Sequence, residues 1–303
     1  MDLLLAILIV VGLAVFETIN SVDNVIINSH ILSTMQPKSR KWFMSWGILL
    51  SVFVVRGLLP WLILWAAVPS KGLADILNAG LSLDNTTLEA LKASAGVLLA
   101  ACGVFLVSIF LHWFLLEERE YPHLFKTSRR FRSIVLYVTL LAIVAAIWWI
   151  SSSAYGDSRM AISALAAALM SIIIFRIRDA TETEERVLAR SDRFQDWGKI
   201  LYLEVIDSSF SFDGVLGAFA FTFSIPLILI GNGLGAIIIR YYTIRNIDHV
   251  RKYRYLKDGA MYSLFSLGAI MTARSFGIAV PEVVTPLITF AVVGYFLYKS
   301  IKS

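Results

Sequence analysis

Two stretches far apart in the chain carry one polar pattern. Glu17-Thr18-Ile19-Asn20-Ser21-Val22-Asp23-Asn24-Val25 and Asp207-Ser208-Ser209-Phe210-Ser211-Phe212-Asp213-Gly214-Val215 both read acid-x-x-x-Ser-x-Asp-x-Val. Carboxylate, hydroxyl and amide oxygens suit hard divalent cations such as Mn²⁺, Mg²⁺ or Ca²⁺. The same carboxylates can exchange protons. His30, His112, His123 and His249 are scattered, and Cys102 is the single cysteine. A zinc or copper thiolate centre is therefore not expected, nor a disulfide framework.

These acids sit in apolar surroundings. The chain of 303 residues is 58% hydrophobic and 16% charged, with mean hydropathy +0.74; soluble domains are nearer 45–50% apolar and about 25% charged. A charged side chain at the bilayer centre costs at least about 2.5–3.5 kcal/mol. Four such acids must face a cavity, pair with a cation or be protonated. On a straight helix six residues turn through about 240° net, so Glu17 and Asp23, or Asp207 and Asp213, would not share one face. Either the helix unwinds at the motif, or each helix points its acids at two neighbours. Asn20, Ser21, Asn24, Ser208, Ser209, Ser211 and Gly214 favour freed backbone.

Stepping outward from the motifs, the elements that must position them are membrane helices. The expected class is all-α and polytopic, with about nine transmembrane spans, near 3–27, 42–65, 93–116, 133–151, 160–175, 200–222, 225–243, 258–274 and 283–299. Trp42, Trp65, Trp113 and Trp148 mark span ends, as interfacial anchors do. Met1-Asp2 runs straight into Leu3-Leu4-Leu5, without a basic leader or a small-residue cleavage site. The first span is therefore expected to be retained. With this division, twenty-one of the 27 Lys and Arg fall in loops on one side and four on the other; Arg56 and Arg240 lie inside spans. That bias puts the N-terminus outside and the C-terminus in the cytoplasm. The charged stretch 176–199 reads as a solvated helix or linker, with a docking surface for a cytoplasmic partner as the second reading.

The motif is one part of a longer repeat. Gly47 precedes Arg56 as Gly231 precedes Arg240, on the second span of each half. On the third, Leu91-Lys92 leads to Gly103 as Leu256-Lys257 leads to Gly268. The charge count turns the two three-span units upside down relative to each other, an architecture common among secondary transporters. Residues 1–116 then form the first repeat. Residues 117–199 add two spans and charged loops, and 200–303 hold the second repeat and a last span. Arg56 and Arg240 can snorkel or pair with the acids as gates. Glu204 lies nearer the cytoplasmic end of its span. Gly231-Asn232-Gly233-Leu234-Gly235 follows no strand, so close helix packing explains it better than a dinucleotide fingerprint; Asn232 could face the cavity.

The residues of these motifs, with Glu204-Val205-Ile206 ahead of the second copy, Leu116-Glu117-Glu118-Arg119-Glu120 and Tyr255-Leu256-Lys257-Asp258-Gly259-Ala260, resemble the TerC-like integral membrane family, named for tellurium resistance, in its longer branch. The resemblance implies a bacterial inner-membrane protein of metal-ion homeostasis, and several relatives look like manganese exporters. It also implies functional roles for Glu17, Asp23, Asn24, Glu204, Asp207, Ser211 and Asp213. Relatives in this branch tend to carry histidines near Lys257-Asp258-Gly259-Ala260-Met261, where this chain has none. The expectation is a divalent-cation exporter with Mn²⁺ as cargo and no tightly bound cofactor. Asp23 and Asp213 are the central ligands, Glu17 and Asp207 are ligands or proton-exchange groups, and Ser21, Asn24 and Ser211 complete the oxygen shell. Protons are a candidate coupling ion. A non-transporting scaffold of a metal or tellurite stress complex is the alternative. No nucleophile elbow, metalloprotease motif or Walker motif points to an enzyme, and the placement of the basic residues does not suggest nucleic-acid binding.

Overall fold

The computed structural model describes residues 3–21, 32, 35–47, 56–67, 72, 85–117, 128–155, 158–188, 196–250, 255–281 and 283–302. Within helices it describes the backbone alone at 44, 56, 64, 66–67, 85–94, 155, 177–188, 202, 205–213, 240–250 and 256. Among the described residues there is helix and no strand. The helices are α1 (Leu3–Asn20), α2 (Pro37–Trp42) running into a π-helical turn (Phe43–Gly47), α3 (Arg56–Ala67), α4 (Asn85–Leu116), α5 (Arg129–Tyr155), α6 (Arg159–Leu188), α7 (Asp196–Ala218), α8 (Ile225–Val250), α9 (Leu256–Ser275) and α10 (Val284–Lys302).

Five stretches among these residues are long and apolar enough to cross a membrane: Leu3–Asn20, Ala95–Leu116, Arg129–Ala154, Arg159–Arg176 and Val284–Lys302. Their outward faces are apolar too. Leu3, Leu4, Ile7 and Val11 on α1, Ile134, Val138, Leu141 and Trp149 on α5, and Ile162, Leu165, Leu169 and Ile173 on α6 are all exposed. A water-soluble surface rarely gathers apolar residues on this scale. The helices have the length, composition and surface of a multi-pass membrane protein. α7 and α9 are less apolar, carrying Asp196, Lys199 and Glu204, and Lys257, Asp258 and Arg274.

The fifth apolar stretch, Arg159–Arg176, agrees with the expected span near 160–175, and α6 runs on as helix to Leu188, which bears out the helical reading of the charged stretch over those residues. Hydropathy ends at Arg176, while 177–188 contains no Gly or Pro to stop the helix. The turn between α7 and α8 is as tight as expected, but it begins earlier: α7 ends at Ala218, where the Phe221 and Thr222 amides donate to the Ala218 carbonyl. Pro226, second in α8, needs no amide partner there.

α4 packs along α9 and α6, and α1 along α8. The α4–α9 pair is antiparallel over its whole length. Gly96 lies against the Ser275 carbonyl, Phe110 against Tyr262 and Phe265, and Glu117 pairs with Lys257. In the middle the two backbones touch through glycines. A Cβ on Gly103 would lie 2.9 Å from the Gly268 carbonyl oxygen, and a Cβ on Gly268 would lie 2.9 Å from the Gly103 carbonyl oxygen. Beside this contact, Thr272 lies on Gly103 and Val107 on Gly268. The end contact matters less. Both partners of the Lys257–Glu117 pair are over one-third exposed, so Lys257→Ala should cost under about 1 kcal/mol of stability in detergent unfolding. A larger loss would mean the pair is shielded from solvent.

Candidate functional site

Glu17, near the end of α1, is 1% exposed. Glycines let two other helices close on it. A Cβ on Gly214 of α7 would collide with its Oε2, and a Cβ on Gly235 of α8 would lie 2.7 Å from its Cβ. Next to Glu17 on α1, Gly217 admits Phe16, and one turn back Gly231 admits Leu13. The contacts fix direction. Along α1 from Gly12 through Phe16 to Glu17, the partners on α7 and its following turn descend from Phe221 through Gly217 to Gly214. On α8 they ascend from Gly231 to Gly235. α1 therefore runs antiparallel to α7 and parallel to α8.

The polar groups at this crossing are few. The Ser21 hydroxyl donates to Glu17 Oε1 at 2.5 Å. Thr18 Oγ1 bonds to the Ala14 carbonyl at 2.6 Å and lies 3.2 Å from the Gly235 carbonyl. Asn232, 2% exposed, aims its Nδ2 at the Gly214 carbonyl 3.5 Å away. Its Oδ1 is buried and has no hydrogen-bond partner. Glu17, Ser21 and Asn232 thus meet at the α1–α7–α8 crossing.

The other expected site residues fall elsewhere. Glu204 lies ten residues before Gly214 on α7, about 15 Å along the helix. Its carboxylate oxygens are buried, and a Cβ on Gly47 would lie 2.5 Å from Oε1. It belongs to the crossing of α7 with the π-helical turn, not to the Glu17 pocket. Beside it Phe43 packs with Leu203, and Trp42 meets Trp197 edge-on at 5.0 Å. Asp23 and Asn24 lie outside the described residues. For Asp207, Ser211, Asp213, Arg56 and Arg240 only the backbone is described. That backbone decides one alternative: α7 is an unbroken helix from Asp196 to Ala218, so the second motif does not unwind. Six residues on it turn through about 240° net, which leaves Asp207 and Asp213 on different sides. α1 is helical to Asn20, where its first motif begins to pass beyond the described residues.

Among the described residues no three of His, Cys, Asp and Glu gather as a metal cluster. His112 is stacked on Phe175 at 3.4 Å, and Cys102 is buried in the core. Gly235 packs closely, as its small-residue face predicts. Thr18 and Gly214 are the site residues whose roles sequence reasoning missed; Gly214 reads in the sequence only as a helix-loosening residue of the motif.

Residues 22–303 match the model of a family described as a protein of unknown function, DUF475. The chain belongs to the DUF475 family. The DUF475 match begins one residue after Ser21, so it takes in α7, α8 and Asn232, while Glu17 and Ser21 stand ahead of it. No curated protein and no solved structure matches the chain.

Proposed function

We propose that this DUF475 protein is a bacterial inner-membrane transporter that exports a divalent cation, Mn²⁺ first among candidates. The observation that carries the reading is Glu17: a carboxylate 1% exposed, sealed among three helices beside an amide and a hydroxyl. Keeping such a group in an apolar bundle is expensive unless it serves an ion path. The likeness of its motifs to the TerC-like family points the same way.

The proposed frame is a 3+3 inverted repeat within nine spans, with the N-terminus outside and the C-terminus in the cytoplasm. Contact registers support it. If Glu17 corresponds to Asp207 and Gly103 to Gly268, a two-fold axis sets equivalent residues opposite each other on antiparallel helices. Gly103 and Gly268 do face each other. α1 and α7 are antiparallel, and their register brings the two motif copies alongside. The second-span glycines also exchange partners: Gly231 packs on α1, and Gly47 on α7. Mixed interfaces of this kind are where transporter sites form. Asp23, Asn24, Asp207, Ser211 and Asp213 are the remaining proposed ligands, Arg56 and Arg240 the gates, and protons the coupling ion.

The test is Mn²⁺ uptake into inside-out vesicles. Glu17→Gln and Asp213→Asn should each lower the rate at least tenfold at equal protein levels. Uptake equal to wild type in both variants would rule out the carboxylate path.

A further inference from the structure

We propose that Asn232 is itself a cation ligand, completing from α8 the site that Glu17 and Ser21 begin on α1. This rests on the cation-transport reading and makes it more specific. The amide's orientation follows from its neighbour. The Gly214 carbonyl can only accept, so the nitrogen of the Asn232 amide must face it, at 3.5 Å. That turns Oδ1 the other way, buried and without a hydrogen-bond partner.

An amide oxygen left so in an apolar bundle destabilises the fold. Leucine or alanine at this position would avoid the cost, and α8 is otherwise built of such residues nearby. The oxygen therefore has a use that an apolar side chain lacks. Beside it Glu17 brings a carboxylate, and Ser21 brings a hydroxyl whose proton is already given to Glu17 Oε1, leaving its lone pairs for a cation. Carboxylate, hydroxyl and amide carbonyl form an all-oxygen set for a hard divalent cation.

The repeat explains why this helix supplies the amide. Gly214 corresponds to Asn24 of the first motif, and Asn232 to Ile48. Each half then carries its pair of acids, the shared serine (Ser21 or Ser211) and an asparagine that can serve the site. In the first half the asparagine belongs to the motif; in the second it has moved to the next helix. Gly214 leaves the room that Glu17 occupies, and Asn232 restores the amide. A ligand on α8 also ties the second half to α1, so that ion binding bridges the two repeats.

The experiment uses the full chain purified in detergent and follows loss of the free Mn²⁺ electron paramagnetic resonance signal on titration with manganous chloride. Asn232→Ala should weaken binding about tenfold while eluting as wild type in size exclusion. Asn232→Asp, which keeps an oxygen and adds charge, should bind at least as tightly as wild type. Glu17→Gln should weaken binding at least tenfold. Wild-type affinity in Asn232→Ala, or weaker binding in Asn232→Asp than in wild type, overturns the role of Asn232. If that happens while Glu17→Gln still weakens binding, the Glu17 site survives without Asn232. Wild-type affinity in Glu17→Gln removes the site itself. Should the alanine variant fail to purify, Asn232→Asp decides alone, because a new charge at a purely packing position would loosen binding and a ligand would tighten it.

Discussion

Alanine in place of either Gly103 or Gly268 should destabilise the folded protein by about 2–3 kcal/mol, and the two substitutions together should cost clearly less than their sum. At both positions the added Cβ meets backbone, 2.9 Å from the facing carbonyl oxygen. Backbone cannot rotate aside as a side-chain tip can, so α4 and α9 must separate. Overpacking of this kind costs about 1–3 kcal/mol. The Thr272 and Val107 contacts beside the glycines put the expected value in the upper part of that range. Once one Cβ has parted the helices, the second finds space already made. Residues in direct contact couple by about 0.5–3 kcal/mol, and here the sign favours the double variant. Unfolding of the four proteins in detergent gives the cycle. Strict additivity would mean that the glycines do not share one contact. Single-variant losses below about 0.5 kcal/mol would mean that the helices are not in backbone contact there.

This pair bears on function through its position. Alternating access in an inverted repeat needs some contact that stays fixed while the halves exchange conformations. A contact between equivalent residues is the same in both states by symmetry. Under the proposed inverted repeat, Gly103 and Gly268 would be suited to that role. The α1–α7 pair carries the polar motifs at the corresponding place. In the proposed repeat one self-paired crossing would be the glycine-tight α4–α9 contact, and the other would hold Glu17 and Ser21.

The sequence announces the elements better than their contacts. Apolar length marks α1, α4, α5 and α10, because membrane helices must satisfy their own backbone and so show as long apolar runs. It marks α6 incompletely, since polarity at Arg178 and beyond signals the end of an apolar run, not of a helix. The proposed repeat rests on glycines and acids that recur at matched intervals. The meeting of Glu17 with Asn232 is not legible in the sequence, because helix neighbours in a bundle come from any distance along the chain. The separation of Glu204 from Glu17 is hidden for a related reason. Its place on α7 is readable, but its partner Gly47 comes from a segment that only packing brings near. The continuity of α7 through its motif was also open. Ser208, Ser209, Ser211 and Gly214 weaken a helix by propensity, yet the neighbouring helices hold it.

Arg274→Ala should lower stability by about 3 kcal/mol, the other large effect expected in this chain. The guanidinium donates through Nη1 to the Ala220 carbonyl at 2.8 Å and through Nη2 to the Val280 and Pro281 carbonyls at 2.9 and 3.3 Å. Thr285 Oγ1 reaches the same Ala220 carbonyl at 3.1 Å. One side chain thus joins the α7–α8 turn to the α9–α10 connection. Hydrogen bonds from a charged group contribute about 1.5–3 kcal/mol each, and without the guanidinium the Ala220 carbonyl keeps only the Thr285 hydroxyl among these partners. The bonds share one donor group, so their contributions do not simply add. Arg274→Lys should recover less than half of the loss, because a lysine ammonium lacks the planar fork that spans two segments. Amide hydrogen exchange should quicken at 219–224 and 276–281 in the alanine variant and remain unchanged across the α4–α9 contact. Unchanged exchange at both turns would show that Arg274 does not hold them. In the proposed repeat Ile109 corresponds to Arg274, so the first half would have no arginine at the equivalent position. In the proposed transport cycle this clasp would hold the two connections together, so Arg274→Ala should slow transport while Mn²⁺ binding at Glu17 stays within about twofold of wild type.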